Sequence, residues 1–441
     1  MGTSTRLRSL LIAVLGVVGL VGAGCGFSPA AAKDPTAPLE VWTRSNAASA
    51  KVYEAIFAAF EQATGIEVDY KAVPIDFDKW IQRRAAARNL PDVLINDTGM
   101  LGLYHSQGLV TEIQPTSIAG GTDITDRAWD SARASDGHHY GVPFSAQAMV
   151  TLVRRDWREK LGRPVPTTWA ELVELATAFT TQDPDGDGQA DTYGMLVPGT
   201  TDRGYLSWWA ASYLWQGGGD ILAPTGDGGY RVAVDSAESV AAVRWLRGLF
   251  CDSKVIQPGA LTTSTADAHP FFETGKAGIY LTGPYNFGRF DKSLGKDRYE
   301  VIPTPAGPAG TTVLGEGENV YLMAGSARPD AQRALAEFLI SPPAQQIGMR
   351  GQPQPVVRLP VNRTVDVHAT YQDPRWDLVA SSYAEDARPF PNVPNFQPFR
   401  QQTAEALNTI FASCTDDVPG ELGALATALT AELQAQGMAV P

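Results

Sequence analysis

Residues 39–70, LEVWTRSNAASAKVYEAIFAAFEQATGIEVDY, contain the pattern that decides the fold. The first four residues form a short apolar strand, and a helix is predicted from about Ser49, with apolar side chains recurring on one face. Gly65 stands where a helix C-cap is expected, and residues 66–70 alternate apolar and polar side chains as a strand does. Strand, helix and strand in about 30 residues make a βαβ unit, whose right-handed crossover implies a parallel sheet.

The same alternation of strands and helices continues along the chain. Residues 92–95 form a continuous apolar run typical of a buried strand, and residues 168–171 form a capping box that begins a helix. Further helices are predicted over 237–250, from Pro329 until the Pro-Pro pair at 342, and over 421–436. The sequence therefore predicts the α/β class.

The composition indicates a globular protein that does not bind nucleic acid. Its 441 residues are 44% hydrophobic and 19% charged, with a net charge of −13. A nucleic-acid-binding protein needs a basic surface for the phosphates, and the sequence has no Lys/Arg cluster that would supply one. At roughly 150 residues per domain the length suggests two or three domains, and we expect two lobes.

The N-terminus has the layout of an export signal. Arg6 and Arg8 precede an apolar run over residues 10–21, and three small residues then lead to Cys25. This arrangement resembles the lipobox of bacterial lipoproteins, in which the signal is cut before a cysteine that carries the lipid. Gly22 departs from that pattern, since Leu is usual there.

The cysteines therefore divide into one predicted lipid carrier and two others. We expect a signal peptide over 1–24, a lipid on Cys25, and a tether over 25–38 that holds the protein at the outer face of the cytoplasmic membrane. Ordinary secretion with a free or paired Cys25 is the alternative. Cys251 and Cys414 remain, and in an oxidising compartment they either pair or stay as free thiols, because sequence does not measure the distance between them.

Six phrases occur in the order found in the extracellular solute-binding proteins of ABC importers, the family that contains maltose-binding proteins. The chain resembles that family over nearly all of residues 39–441. The phrases are VWTRSNAASAKVYEAIFAAFEQATGIEVDY (41–70), LPDVLINDTGMLGLYHSQGLV (90–110), HHYGVPFSAQAMVTLVRRD (138–156), PTTWAEL (166–172), FFETGKAGIYLTGPYNFG (271–288) and PDAQRALAEFLISPPAQQ (329–346).

The resemblance implies a two-lobed periplasmic-binding-protein-like fold with a ligand cleft between the lobes and closure by hinge motion. By analogy the chain crosses between the lobes near residues 144, 313 and 365. Lobe 1 would then be 39–143 plus 314–365, and lobe 2 would be 144–313 plus 366–441. The resemblance also implies a monomer that is not an enzyme and that captures a sugar and delivers it to ABC permease subunits.

Alternative functions remain open at this point. Glycerol phosphate or its diesters would use Arg44, Arg203 and Arg400, and polyamines would use several carboxylates with aromatic rings. A secreted glycosidase is the alternative of a different class. It would use two carboxylates across a sugar, but a pair can always be found among 48 acidic residues, so their number is no evidence for it. The sequence has no Ser-hydrolase elbow, zinc-protease motif or phosphate-binding loop.

Sugar sites combine flat aromatic rings with polar hydrogen-bonding side chains. The aromatic run YLSWWAASYLWQ (205–216) has two aromatic faces if it is a helix. Trp208 and Trp215 share one face, and Trp209 shares the other with Tyr205 and Tyr213. One of the two faces must pack into the core. The polar candidates follow predicted strands or match family positions, and Tyr285 stands where the family has a cleft tryptophan. The predicted ligand-binding residues are Arg44, Ser45, Asn46, Asn96, Asp97, Gln147, Tyr205, Trp208, Tyr285, Glu316, Glu318 and Arg400.

An acidic stretch, TTQDPDGDGQADTYG (180–194), has the spacing of a calcium-binding loop. Counted from Asp183, oxygen ligands fall at positions 1, 3, 5, 7 and 9, with glycine at position 6. Gly194 stands at position 12, where a bidentate Glu is usual. We expect a structural Ca²⁺ site, with a solvated acidic turn as the alternative. The predicted metal ligands are Asp183, Asp185, Asp187, Gln189 and Asp191.

Overall fold

The computed structural model describes residues 34–226, 229–415 and 417–438. The predicted signal peptide, Cys25 and most of the predicted tether lie outside the described residues. No helix in the described ranges is long and apolar enough to cross a membrane.

Within the described ranges, the strands form three sheets. The largest has seven strands in the order β12-β4-β11-β3-β1-β2, with β13 paired to β11. A second sheet has the order β10-β5-β9-β6, and β7 pairs with β8. The strands are β1 Leu39–Thr43, β2 Val68–Ala72, β3 Val93–Asp97, β4 Val142–Ala148, β5 Val150–Arg154, β6 Tyr193–Leu196, β7 Leu222–Pro224, β8 Tyr230–Val232, β9 Ala277–Thr282, β10 Tyr299–Ile302, β11 Val313–Leu322, β12 Leu359–Pro360 and β13 Ala387–Arg388.

Helices connect and cover these strands. They are α1 Ala47–Thr64, α2 Phe77–Ala86, α3 Leu101–Ser106, α4 Asp126–Asp130, α5 Arg155–Lys160, α6 Trp169–Thr181, α7 Tyr205–Gln216, α8 Ala237–Cys251, α9 Thr265–Glu273, α10 Phe287–Ser293, α11 Pro329–Leu339, α12 Pro342–Arg350, α13 Val367–Tyr371, α14 Pro374–Glu385, α15 Gln397–Ala412 and α16 Val418–Ala435.

The predicted βαβ unit is present as β1, α1 and β2. Strand β1 pairs in parallel with both β2 and β3. Helix α1 begins at an N-cap, because the Asn46 side chain accepts hydrogen bonds from the backbone N–H groups of Ala48 and Ser49. It ends at Gly65, whose φ of 72° is the left-handed conformation that glycine adopts most easily. The carboxyl ends of β1 and β3 therefore lie side by side.

The chain passes from the first sheet to the second at Met149. Strand β4 stays paired with β11 as far as Ala148, and β5 then begins in the second sheet. The chain returns between Ile302 and Val313, where β11 starts. The first passage is thus five residues after the predicted crossing at 144, because β4 continues in one register beyond that point. The predicted division into lobes stays a prediction.

Each large sheet has an apolar core of its own. Val41, Phe60 and Phe144 are fully buried in the core of the first sheet, where α1, α11 and α12 pack. In the core that covers the second sheet, Phe179 and Trp209 are fully buried. Burying one large apolar side chain stabilises the folded state by about 1.5–3 kcal/mol. Because each core buries several such side chains, it holds the strands of its sheet in place.

Cys251 and Cys414 form a disulfide, with Cα atoms 5.5 Å apart. The sequence had left this pairing open. The bond joins the last residue of α8 to the segment that follows α15. It therefore ties together two helices that pack against α7.

Candidate functional site

A cleft of about 920 Å³ opens at the carboxyl ends of β1 and β3 and is bordered by α7 and α10. Eleven of the twelve predicted ligand-binding residues line it, and their contact with a ligand stays a prediction. These are Arg44, Ser45, Asn46, Asp97, Gln147, Tyr205, Trp208, Tyr285, Glu316, Glu318 and Arg400.

Asn96 is the predicted residue that the structure places elsewhere. Its side chain is buried, and its Nδ2 donates a hydrogen bond of 2.9 Å to the Tyr104 hydroxyl. Successive side chains of a strand point to opposite faces, so Asn96 faces the core while Asp97 reaches the cleft. Asn96 is therefore not among the residues that line the cleft.

An ion pair joins the ends of β1 and β3. One Nη atom of Arg44 lies 2.6 Å from each carboxylate oxygen of Asp97. Burial acts to raise the pKa of Asp97, but Arg44 and the more distant Arg203 and Arg400 outweigh it and hold that pKa below its usual range. Asp97 is therefore a firmly ionised carboxylate at neutral pH.

Strand β11 presents two carboxylates to the cleft, Glu316 and Glu318, two residues apart and therefore on the same face. The Trp208 indole Nε1 donates a hydrogen bond of 2.7 Å to Glu316. The Glu318 carboxylate accepts one of 2.7 Å from the Tyr53 hydroxyl and lies 2.9 Å from Arg358. Burial, followed by the charge of Asp97, raises the pKa of Glu316.

Arg400 has a different environment from the other buried arginines. Its Nε donates a hydrogen bond of 3.2 Å to the Gly204 carbonyl, and its guanidinium lies 5.9 Å from the centroid of the Tyr205 ring. Among the described residues no carboxylate lies within 4.0 Å of it. Burial lowers the pKa of Arg400, and the nearby charge of Glu316 raises it in part. The Nη groups of Arg400 are thus left for contacts in the cleft.

Gly204 makes this position of Arg400 possible. The residue has a φ of 69°, and a Cβ atom there would lie 2.5 Å from Cγ of Arg400. Any other residue would be strained in its backbone and would displace the arginine.

Four tyrosine and tryptophan side chains line the cleft, and they are Tyr53, Tyr205, Trp208 and Tyr285. Tyr205 and Trp208 come from the first turn of α7 and contact each other edge to face, with ring centroids 6.3 Å apart. Tyr285 follows β9, and burial raises its pKa to about 12. The rest of the aromatic run, including Trp209 and Tyr213, is core.

Several lining residues were not predicted from the sequence. Tyr53 comes from within α1, Arg358 precedes β12, and His269 and Arg289 come from α9 and α10. They have no motif or strand-end position that would have marked them. Only the tertiary packing brings these segments to the cleft.

The acidic loop brings together three of its five predicted metal ligands. One oxygen from each of Asp183, Asp185 and Asp187 lies within 4.8 Å of the other two. Burial, a hydrogen bond to Asp183 and the charge of Asp187 raise the pKa of Asp185. Crowding of carboxylates therefore makes ionisation of this group unfavourable.

The other two predicted ligands have protein partners. Asp191 forms an ion pair with Lys276, and the Gln189 amide donates a hydrogen bond of 3.3 Å to Asp187. The loop lies outside the residues that line the cleft. The predicted Ca²⁺ site therefore has three carboxylates in reach of one ion, and calcium binding stays a prediction.

The family model for bacterial extracellular solute-binding proteins matches residues 45–346. The chain is a bacterial extracellular solute-binding protein. The match confirms the family that the six sequence phrases indicated.

Two relatives with assigned functions match part of this solute-binding protein. The polygalacturonan/rhamnogalacturonan-binding protein YtcQ of Bacillus subtilis (strain 168) is 27% identical over 275 residues, which are 57% of this chain and 51% of YtcQ. The fructooligosaccharide ABC transporter substrate-binding protein FusA of Streptococcus pneumoniae serotype 4 is 23% identical over 58% of this chain and 50% of FusA. The matched region thus spans about half the length of each relative.

Solved structures of similar fold cover 90% of the solute-binding protein. The GacH receptor of Streptomyces glaucescens, solved unliganded and with acarbose, superposes with a TM-score of 0.78 at 22% identity over 98% of its chain. Maltose-bound MalE3 of T. maritima gives 0.74 at 24% identity over 99% of its chain. These likenesses confirm the predicted two-lobed α/β fold.

Proposed function

We propose that this solute-binding protein captures a carbohydrate in its cleft and delivers it to the permease subunits of an ABC importer. It does so as a monomer, anchored by a lipid on Cys25 at the outer face of the cytoplasmic membrane. One observation carries the proposal: the cleft combines four tyrosine and tryptophan side chains with charged hydrogen-bonding groups, several of which pair with groups of opposite charge. Sugars offer apolar ring faces and hydroxyl edges, and this combination matches both.

The pairing of charges favours a neutral ligand. Asp97 is paired with Arg44, Glu318 with Arg358, and Arg203 with Asp78. Glu316 and Arg400 lie near each other without an ion pair, so a ligand group between them meets one acceptor and one donor. A hydroxyl group satisfies both, because it donates to a carboxylate and accepts from a guanidinium.

The two alternative ligand classes fit this charge distribution less well. A polyamine would need several carboxylates that have no cationic partners. A phosphodiester would need a cluster of arginines that have no acidic partners. In the cleft, Asp97 and Glu318 are instead paired with Arg44 and Arg358. Two relatives are named for binding polygalacturonan/rhamnogalacturonan and fructooligosaccharide, and a structure of similar fold was solved with maltose. These ligands support the same choice.

The test is thermal unfolding of the protein without residues 1–24, in the presence of sugars, glycerophosphodiesters or polyamines. Ligand that binds only the folded state raises the unfolding midpoint. We expect a shift with one family of sugars, and loss of that shift in Tyr285→Ala, which removes a stacking ring. A shift with glycerophosphodiesters or polyamines alone would overturn the proposal.

The proposal also states that the protein binds its sugar without transforming it. Incubation with the same sugars, followed by mass analysis of the products, should return them unchanged. Hydrolysis that disappears in Glu316→Gln would show instead that the cleft is the active site of a glycosidase.

A further inference from the structure

A small closed cavity lies in the core that covers the second sheet, where helices α7, α8 and α15 pack against one another. Its volume is about 10 Å³. A cavity needs at least roughly 10–15 Å³ to hold one water molecule. The cavity is therefore of a size for a single water and is too small for any larger ligand.

The lining of this cavity is apolar except at two positions. Among the described residues that line it, Ser207 on α7 and Thr403 on α15 are polar, and the others are alanine, valine, leucine and isoleucine. A cavity with a wholly apolar lining stays dry. The two hydroxyl groups are thus the feature that makes this cavity suitable for water.

Both hydroxyl groups are buried without a hydrogen bond. Ser207 and Thr403 are each 1% exposed. Within the part of the chain that the structure describes, neither Oγ of Ser207 nor Oγ1 of Thr403 has a hydrogen-bond partner, so the two do not bond to each other either. A buried hydroxyl without a partner is unfavourable, and two of them at one cavity indicate that they share a partner there.

A backbone carbonyl is the alternative partner for such a group. A threonine hydroxyl in a helix can donate to the carbonyl four residues earlier. Thr409 does so in α15, where its hydroxyl lies 3.1 Å from the Glu405 carbonyl oxygen. Thr403 belongs to the same helix and does not form this bond. Its hydroxyl is therefore left for the cavity.

We propose that Ser207 and Thr403 bind one buried water molecule, which bridges helices α7 and α15. A buried water forms two to four hydrogen bonds, and each hydroxyl can both donate and accept one. The water thus satisfies both side chains at once. This inference goes beyond the proposed function and does not depend on it.

The bridge joins two helices that carry residues of the cleft. Ser207 precedes Trp208 in the first turn of α7, and Thr403 lies three residues after Arg400 on α15. Outside the cavity, Arg400 already bonds to the carbonyl of Gly204, which immediately precedes α7. The water adds a second hydrogen-bonded link between the same two parts of the chain, inside the core.

The direct test is a crystal structure of the protein in which other buried waters are visible. We expect electron density for one water oxygen within about 2.5–3.0 Å of both hydroxyl oxygens. Absence of this density would refute the inference. Rotation of either hydroxyl onto a backbone carbonyl would refute it as well.

Urea unfolding of three variants tests the same bridge in solution. Thr403→Val keeps the shape of the side chain and removes its hydroxyl, and Ser207→Ala removes the other. Each single variant leaves the water with one of its two hydroxyl partners, so each should unfold at a lower urea concentration than the wild type. Removing both partners of a buried polar contact costs little more than removing one. In the Thr403→Val background, Ser207→Ala should therefore shift the midpoint by no more than about half of its shift in the wild type.

Thr403→Ser is the matched control, because it removes a methyl group and keeps the hydroxyl. In this background Ser207→Ala should shift the midpoint as much as it does in the wild type. If its shift is the same in the wild-type, valine and serine backgrounds, the two hydroxyls do not share a water. If the serine background reduces the shift as much as the valine background does, the coupling comes from packing, and the inference is refuted. It is refuted too if neither single variant lowers the midpoint, since removal of an unpartnered hydroxyl should not destabilise the fold.

Discussion

The hydrogen bond from Trp208 to Glu316 is the contact whose energetic contribution the structure predicts most directly. Trp208→Phe removes the indole Nε1, which lies 2.7 Å from the Glu316 carboxylate. The other donor to that carboxylate, Nε2 of Gln147, lies 3.4 Å away. A hydrogen bond to a charged group contributes about 1.5–3 kcal/mol. We therefore expect Trp208→Phe to lower the free energy of unfolding by about that amount at pH 7, in addition to the cost of the smaller side chain.

A double-mutant cycle separates these two costs. Glu316→Gln keeps the shape of the side chain and removes the charge, so Trp208→Phe should cost less in that background. The difference between the two costs is the coupling energy, and we expect it to exceed about 1 kcal/mol. Urea unfolding of the wild type, the two single variants and the double variant measures it.

The coupling should also depend on pH. Burial raises the pKa of Glu316 in the folded protein, so the folded protein binds that proton more tightly than the unfolded chain does. Ionisation of Glu316 therefore reduces stability as pH rises through the folded pKa, and the bond from Trp208 offsets part of this loss. The coupling energy should be largest at pH 7 and smaller near the ordinary carboxyl pKa of about 4.3. Equal costs of Trp208→Phe in both backgrounds, at both pH values, would refute the reasoning.

Three further predictions concern other parts of the chain. Gly204→Ala should lower sugar affinity and destabilise the fold by about 1–3 kcal/mol, because its Cβ displaces Arg400; unchanged affinity in calorimetry would contradict this. Millimolar Ca²⁺ should raise the unfolding midpoint of the wild type but not that of Asp185→Asn, and EDTA should reverse this rise. If Ca²⁺ affects the two proteins equally, the loop is a solvated acidic turn that does not bind calcium. Cys251→Ser should lower the free energy of unfolding by about 2–5 kcal/mol without changing sugar affinity. If calorimetry of the folded variant shows a loss of sugar affinity, the disulfide also shapes the cleft.

Local sequence signals predicted helices α1, α6, α8, α11 and α16 and strands β1 to β3, because their caps and apolar repeats are decided within a few residues. The predicted helix 237–250 is observed as Ala237–Cys251, and the capping box at Thr168 has both of its hydrogen bonds. The pair at Pro342 was interpreted as the end of a helix, and α11 does end before it at Leu339, but a second helix, α12, begins at the same pair. Proline is equally suited to the first turn of a new helix, and only the packing of α12 against α1 decides between the two.

The site was predictable where it follows strand ends and less so elsewhere. Arg44 follows β1 and Asp97 ends β3, and these strands are parallel neighbours, so both side chains reach the same edge of the sheet. Asn96 shows the limit of that argument, since a shift of one residue turns a side chain into the core. His269 and Arg358 reach the cleft through contacts between segments far apart in sequence, and no local pattern encodes such contacts.

The glycosidase alternative depends on how the two carboxyl groups Asp97 and Glu316 are interpreted. One has a lowered pKa and the other a raised pKa, as in enzymes that cleave glycosides with an acid and a carboxylate. Each shift has a cause that does not require catalysis: Arg44 holds Asp97 ionised, and burial opposes the charge of Glu316. The hydrogen bond from Trp208 lowers the pKa of Glu316 in part, but burial outweighs it. A binding cleft needs such a buried acceptor as much as an active site does.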